Sequence, residues 1–259
     1  MEKQEQLHQV VKSWSPYARM PARTRASLKR LWSRMGFSHE FATILRYEMD
    51  MLMLRVRCSL SPGYRRQLRD LGRRKNLLIH LGCGNVLLDG WVNTDCYPPG
   101  HRTGAETLTL DMRGGLPLAD GSATAIYTEH FFEHLSFDVV RLMLSECYRI
   151  LAPSGTFRLG VPDGEYFARQ YLSDDEEAIH RENRGDRTRM MMLNALAHAS
   201  THKFLWDYET FELVFREAGF TAIRHAVSGD SEVAHFAGKD RQDPWRRRHT
   251  LYLEARKAG

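Results

Sequence analysis

Apolar residues in the first quarter of the chain recur every three or four positions. From Asn76 onward they gather instead into short runs, each broken by a glycine or an acid. The first pattern belongs to amphipathic helices and the second to buried strands. Leu28, Leu31, Trp32 and Met35 give one apolar face to a helix predicted over 21–35, with Pro21 near its first position and Gly36 as its stop. A second helix is predicted over about 39–60, ended by Ser61-Pro-Gly63. Its Met51-Leu-Met-Leu54 centre is apolar nearly all round, which calls for packing partners. A basic helix over 65–75 leads into the first strand. Strands are then predicted at 77–81, 91–94, 108–110, 125–127, 156–161, 222–227 and 250–254, with helices at about 138–151, 166–197 and 208–218. Alternation of this kind folds as an α/β unit around a mostly parallel seven-stranded sheet flanked by helices.

Within that pattern one stretch stands out. The apolar run of Leu77-Leu-Ile-His-Leu-Gly-Cys-Gly-Asn85 feeds a Gly-x-Gly turn, and Trp91-Val-Asn-Thr-Asp95 ends in a carboxylate. Gly82 and Gly84 let backbone approach a ligand closely, and an acid at the end of the next strand can accept hydrogen bonds from two vicinal hydroxyls. Together they describe a pocket for a nucleoside-containing ligand. Asp111, Glu129 and Pro162-Asp163 also fall just after predicted strands, at the sheet edge where ligands of such folds sit.

Composition narrows the setting. A hydrophobic content of 42% with five Trp describes a globular chain of 259 residues, and no apolar run approaches the roughly 18 residues of a membrane span. The chain starts Met-Glu-Lys-Gln-Glu-Gln, without the apolar core of a signal peptide. Cys58, Cys83, Cys96 and Cys147 show no Cys-x-x-Cys spacing, so neither a zinc site nor a disulfide framework is expected, and a reducing cytoplasm is the default. Charge is unevenly placed. Residues 1–76 hold 17 Lys/Arg and 6 Asp/Glu, a net +11, whereas residues 77–259 hold 20 and 26, a net −6. Residues 1–75 therefore read as a basic helical region. They suit an anionic membrane surface or an acidic partner, which would place the chain peripheral to the membrane; the plainer account is that Arg and Lys solvate short helices.

Taken in order, several motifs carry a resemblance. They are His80-Leu-Gly-Cys-Gly84, Asp95, Asp111-Met-Arg-Gly-Gly-Leu-Pro-Leu-Ala-Asp-Gly-Ser122, Ala125-Ile-Tyr-Thr-Glu-His130, Glu133-His-Leu135 and Glu146-Cys-Tyr-Arg-Ile-Leu-Ala-Pro-Ser-Gly155. The succession, over about residues 76–256, resembles a class I S-adenosylmethionine-dependent methyltransferase of the small-molecule type. The resemblance implies a Rossmann-like domain over 76–259, with a helical insertion at about 164–201, and S-adenosyl-L-methionine as cofactor. It implies that Gly82 and Gly84 pass under the methionine part and that Asp95 binds the ribose hydroxyls. Asp111 and Met112 would meet the adenine, and Glu129 and His130 would border the sulfonium and the substrate. His80 stands where the family usually has an acid: it would reach the cofactor's amino group through a water, or else be a core histidine. Only 13 positions separate Gly82 from Asp95, so the first crossover helix is short or absent. That abbreviation resembles a branch linked to surface-polysaccharide synthesis.

Methyl transfer is an in-line displacement, so the enzyme mainly aligns the partners and removes a proton from a hydroxyl acceptor. His130 is the first candidate base, because a histidine's pKa lies near working pH. Asp163 is the second and His202 the third. His130-Phe-Phe-Glu-His134 also has the His-x-x-Glu-His form of an inverted zinc-peptidase site. No third ligand is evident in the linear sequence, so the expectation is no metal, with Glu133 and His134 capping the loop. The 164–201 stretch carries Asp174-Asp-Glu-Glu177, then Arg181, Arg184, Arg187 and Arg189, which suit either a solvated helix face or an anionic group of the substrate. No Asp/Asn-Pro-Pro-aromatic stretch is present, which argues against methylation of base amino groups in nucleic acid. The expected acceptor is a hydroxyl on a sugar, glycan precursor or other small metabolite. The alternatives are a methyltransferase fold that has lost activity and docks through residues 1–75, and an RNA methyltransferase guided by that segment.

Overall fold

The computed structural model describes residues 20–98, 104–173, 188–198 and 201–259. Three helices open it: α1 (Ala22–Arg34), α2 (His39–Leu60) and α3 (Pro62–Arg73). Ser38 caps α2 through Phe41 N at 3.1 Å. Ser61 ends α2 and caps α3 through Tyr64 N at 3.2 Å, with Pro62 at the first position of α3. The strands follow as β1 (Leu77–Leu81), β2 (Val92–Asp95), β3 (Thr107–Thr109), β4 (Ala123–Glu129) and β5 (Leu151–Pro162). Helix α4 (Phe137–Ile150) links β4 to β5. Beyond β5 come α5 (Gly164–Leu172), α6 (Arg189–His198), α7 (Tyr208–Glu217), β6 (Thr221–Ala226), α8 (Pro244–His249) and β7 (Thr250–Arg256). The expected insertion is two described helices, α5 and α6; Asp174–Glu177, Arg181, Arg184 and Arg187 lie outside the described residues.

The seven strands form one sheet in the order β3-β2-β1-β4-β5-β7-β6. All pairs are parallel except those of β7, which runs antiparallel to β5 and β6. This is the expected Rossmann-like fold. Strand order reverses between β1 and β4, so the crevice for a ligand lies beyond the carboxyl ends of those two strands.

The two faces of the sheet are covered differently. Leu77, Ile79, Leu81, Ile126, Phe157, Leu159, Val161, Leu251 and Leu253 pack beneath α4 and α7 in one large core. Burying an apolar side chain fully contributes roughly 1.5–3 kcal/mol, so this layer dominates stability. The opposite face carries a row that the register lines up from strand to strand: Asn93, His80, Tyr127, Arg158, Glu254 and Arg224. Loops rather than helices close over part of it, with Trp91 and Leu88 from one and Phe236 and Val233 from the other. The β1–β2 connection is too short to hold a helix, as the spacing of Gly82 and Asp95 predicts. Arg158, fully buried, anchors the second loop. Its Nε donates to Asp240 at 3.0 Å, its Nη2 donates both to Asp240 and, at 2.7 Å, to Val227 O, and its Nη1 donates to Glu254.

Candidate functional site

The loop after β1 turns on Gly82 and Gly84, both left-handed, at φ +64° and +53°. The two glycines serve different ends. A Cβ on Gly82 would run into Phe131, whereas one on Gly84 would meet nothing within 4 Å. Space above Gly84 therefore remains open for a ligand that lies against the backbone. Asp95 closes this cradle from the end of β2: Gly84 N donates to one carboxylate oxygen at 2.9 Å and Tyr97 N to the other at 3.0 Å. A carboxylate accepts about four hydrogen bonds, and Cys96 also donates to Asp95, so a ligand hydroxyl would share the carboxylate with these donors. Burial raises the Asp95 carboxyl above its ordinary range, against the pull of those amide donors.

His80 sits in the core beneath this loop. Its Nδ1 pairs with Asn93 Oδ1 at 3.0 Å, its ring packs on Tyr127, and burial lowers its pKa to about 4, so it is neutral. Asn93 in turn accepts from Leu88 N at 2.8 Å and donates to Leu88 O and Trp91 O at 3.0 Å each. These bonds hold the short β1–β2 connection in place of a helix.

Asp111 begins the turn after β3 and caps it through Arg113 N. Both of its oxygens are engaged by guanidinium groups. Arg113 donates at 2.9 Å to each, and Arg55, reaching over from α2, donates at 3.0 and 2.6 Å to Oδ2. An adenine amine would reach this carboxylate only if Arg55 gave way. Met112 is buried, and its sulfur accepts from Thr94 Oγ1 at 3.4 Å. Helix α2 is thereby part of the rim: Glu48 pairs with Arg113 at 2.6 Å, and the Tyr47 ring lies 4.9 Å from the Arg113 guanidinium carbon.

At the end of β4, Glu129 accepts from Tyr252 OH at 2.7 Å and from Arg241 N at 3.2 Å. The side chains of Arg241 and Arg246 stand 3.6 and 3.7 Å from its second oxygen. Burial and the neighbouring Arg246 lower Arg241 to about 10. Neither arginine stands out by sequence distance, 112 and 117 positions from Glu129. The signal that could have found them is the Asp243-Pro-Trp-Arg-Arg-Arg248 helix start.

His130 follows in the left-handed region, at φ +56°, unusual for a side chain with a Cβ. Its Nε2 is 2.9 Å from Thr250 Oγ1 and its Nδ1 is 3.2 Å from Glu133 Oε1. Burial and Arg246 lower its pKa to about 3. His130 is therefore neutral at neutral pH, and its charge change falls well below the working range that its residue type suggests. The next turn, Phe132–His134, is bound to the loop after α6 by Lys203 N donating to Glu133 O at 2.8 Å. This brings His202 against His134, with ring centroids 4.9 Å apart. His202 Nδ1 meets Leu196 O at 2.6 Å. Asp163 caps α5 through Tyr166 N at 3.1 Å, and its own N–H donates to His249 O. The sequence-derived residues thus divide into a cradle (Gly82, Gly84, Asp95), a neighbouring rim (Asp111, Met112), a strand-end cluster (Glu129, His130, His202), a core histidine (His80) and a helix cap (Asp163).

Residues 79–159, spanning β1 through most of β5, match the family model described as a methyltransferase domain. No curated protein matches the chain. Among solved structures, it is similar to a SAM-dependent methyltransferase from Archaeoglobus fulgidus at 14% identity, over 85% of this chain and 100% of that one, with a TM-score of 0.44. An S-adenosylmethionine-dependent methyltransferase from Mesorhizobium loti is 15% identical over 77% of this chain and 100% of that one, with a TM-score of 0.43. Phosphoethanolamine N-methyltransferase 2 from Haemonchus contortus, solved with S-adenosyl-L-methionine, is 12% identical over 77% of this chain and 54% of that one, with a TM-score of 0.44.

Proposed function

We propose that the chain, whose residues 79–159 match a methyltransferase domain, is a class I S-adenosylmethionine-dependent methyltransferase whose acceptor is a hydroxyl on a sugar, glycan precursor or other small metabolite. When bound, S-adenosyl-L-methionine supplies a methyl group on a sulfonium that leaves readily. The turn from Gly82 to Gly84 cradles it, and Asp95 receives the ribose hydroxyls beside its donors Gly84 N, Tyr97 N and Cys96. The observation that carries the acceptor class is the cluster at the end of β4, beside that cradle. Half-buried Glu129 accepts hydrogen bonds there, and Arg241 and Arg246 stand over it at 3.6 and 3.7 Å. A hydroxylated molecule with a phosphate or carboxylate group suits this mixture of acceptors and guanidinium groups. His130 borders the same edge and orients the acceptor; with a pKa of about 3 it contributes position more than basicity.

The test measures S-adenosylhomocysteine release with a panel of free sugars, sugar phosphates and nucleotide sugars, then locates the new methyl group by NMR. A methyl on oxygen is expected; a methyl on nitrogen or carbon refutes the acceptor class. Asp95→Asn is expected to weaken cofactor binding by about 10- to 100-fold, from lost hydrogen bonds to a charged acceptor worth about 1.5–3 kcal/mol each. His130→Ala is expected to lower kcat while leaving cofactor affinity unchanged. If the wild-type protein does not bind the cofactor at millimolar concentration, the inactive binding module takes its place.

A second reading concerns α2. Its buried side, with Met51 and Leu54, faces the domain, while Phe41, Leu45, Met49, Leu52, Val56 and Leu60 form an exposed apolar stripe at helical spacing on another side. With a net charge of +11 over residues 1–76, this suits an anionic lipid surface. Sedimentation with phosphatidylserine vesicles and not with phosphatidylcholine vesicles is the expected result; equal behaviour with both refutes it.

A further inference from the structure

Glu133 is 2% exposed, and among the described residues neither of its carboxylate oxygens has a partner in hydrogen-bond geometry. A buried carboxylate left this way is costly unless a cation or donor completes it. The groups facing it are imidazoles. His134 Nε2 lies 4.0 Å from Glu133 Oε1, and one ligand atom each from Glu133, His134 and His202 falls within 4.8 Å of the other two. His130 Nδ1 approaches the same Oε1 at 3.2 Å from the other side.

From this juxtaposition we infer that Glu133, His134 and His202 form a binding site for a divalent transition-metal ion of the zinc class. Two imidazole nitrogens and one carboxylate oxygen make the three-ligand set that leaves a fourth position free. A nitrogen-rich set of this kind favours zinc, cobalt or iron over magnesium. Ligand atoms about 2.0–2.1 Å from a tetrahedral ion lie roughly 3.3 Å apart, so the 4.0 Å pair needs to close by under about an ångström, and any pair at the 4.8 Å limit by about 1.5 Å. The outer nitrogens are already held as ligating histidines require. His202 Nδ1–H donates to Leu196 O at 2.6 Å, which turns the lone pair of Nε2 outward, and His134 Nδ1 meets Thr201 Oγ1 at 3.3 Å. The backbone bond from Lys203 N to Glu133 O fixes the two segments against each other before any ion arrives. The site adjoins the cofactor cradle, because Phe131, in the same turn, packs on Gly82. Metal binding here does not depend on which acceptor is methylated.

The experiment treats the full chain with a chelator, removes the chelator, and titrates zinc by calorimetry and cobalt by visible absorption, with the metal alone as ligand. One equivalent is expected, with the intense visible bands of four- or five-coordinate cobalt. Glu133→Gln keeps the side chain's shape. His202→Asn keeps a donor for Leu196 O while removing Nε2. Each is expected to weaken binding beyond the roughly 10–100-fold typical of losing an outer partner, whereas His198→Ala, on the exposed end of α6, leaves it unchanged. Zinc should also raise the Tm of the wild type and not of His202→Asn, with circular dichroism confirming that the variant is folded. Failure of the wild type to bind, or folded Glu133→Gln and His202→Asn variants that bind as tightly as the wild type, overturns the site.

Discussion

Gly82→Ala and Gly84→Ala are expected to fail in opposite ways, although the two positions are separated by a single residue. Both glycines have positive φ, +64° and +53°, so alanine costs roughly 1–2 kcal/mol at either. At Gly82 the new methyl also falls within 2.5 Å of Phe131 Cβ and Cδ2 and closer still to Cγ. These atoms belong to the stem of the side chain, so a change of rotamer tip cannot relieve the clash. The turn after β4 has to move, at an overpacking cost of about 1–3 kcal/mol. The sum for Gly82→Ala is about 2–5 kcal/mol. A chain of this size loses about 2–4 °C of Tm per kcal/mol, so a drop of about 5–20 °C is expected. Gly84→Ala, whose Cβ meets nothing within 4 Å, should lose only about 2–8 °C. Its methyl instead occupies the ligand's space, and affinity for S-adenosylmethionine should fall by more than about tenfold, at least 1.4 kcal/mol. Thermal unfolding followed by circular dichroism, paired with calorimetric titration of the cofactor, separates the two effects. Equal Tm losses, or a Gly84→Ala protein that binds like the wild type, would refute the division of labour.

Other outcomes follow from the same geometry. His80 has a folded pKa of about 4 against an unfolded value near 6.5, so its contribution is complete above pH 6.5 and is lost as pH falls toward 4. The span corresponds to about 3 kcal/mol; urea unfolding of His80→Gln between pH 4 and 7 should show a correspondingly flatter profile, and an unchanged slope would remove His80 as its source. Arg158→Leu leaves Asp240 and Glu254 buried without their shared cation and should cost about 3–5 kcal/mol in urea unfolding. A loss below about 1 kcal/mol would show that the 227–243 loop does not depend on it. Arg246→Gln should raise the KM for an anionic acceptor by about 10-fold, the range of one charge-assisted hydrogen bond, while leaving cofactor affinity unchanged; a shift confined to the cofactor would place Arg246 elsewhere.

Much of the frame is local in origin and was therefore legible along the chain. Runs such as Leu77–Leu81 announce strands, Ser61-Pro-Gly63 ends one helix and starts the next, and Gly82, Gly84 and Asp95 mark the cradle because strand ends and left-handed turns have their own residue preferences. The short spacing from Gly82 to Asp95 likewise told of a missing crossover helix. Residue type alone could not supply environment. His130 suggests a base near neutral pH, yet burial beside Arg246 takes it to about 3; His80 could have faced the cofactor, yet Asn93 and Tyr127 hold it in the core. Asp111 looked free to receive an amine, and Arg55 of α2, 56 positions away, occupies it. His130-Phe-Phe-Glu-His134 offered no third ligand along the chain, and the backbone bond between Lys203 and Glu133 brings His202 beside Glu133 and His134. The sequence by itself determined the order of elements and the glycines and acids that end them, because those depend on neighbours in the chain. Only the tertiary structure decided which of those groups stay charged, which are already paired and which converge, because desolvation and long-range contact depend on neighbours in space.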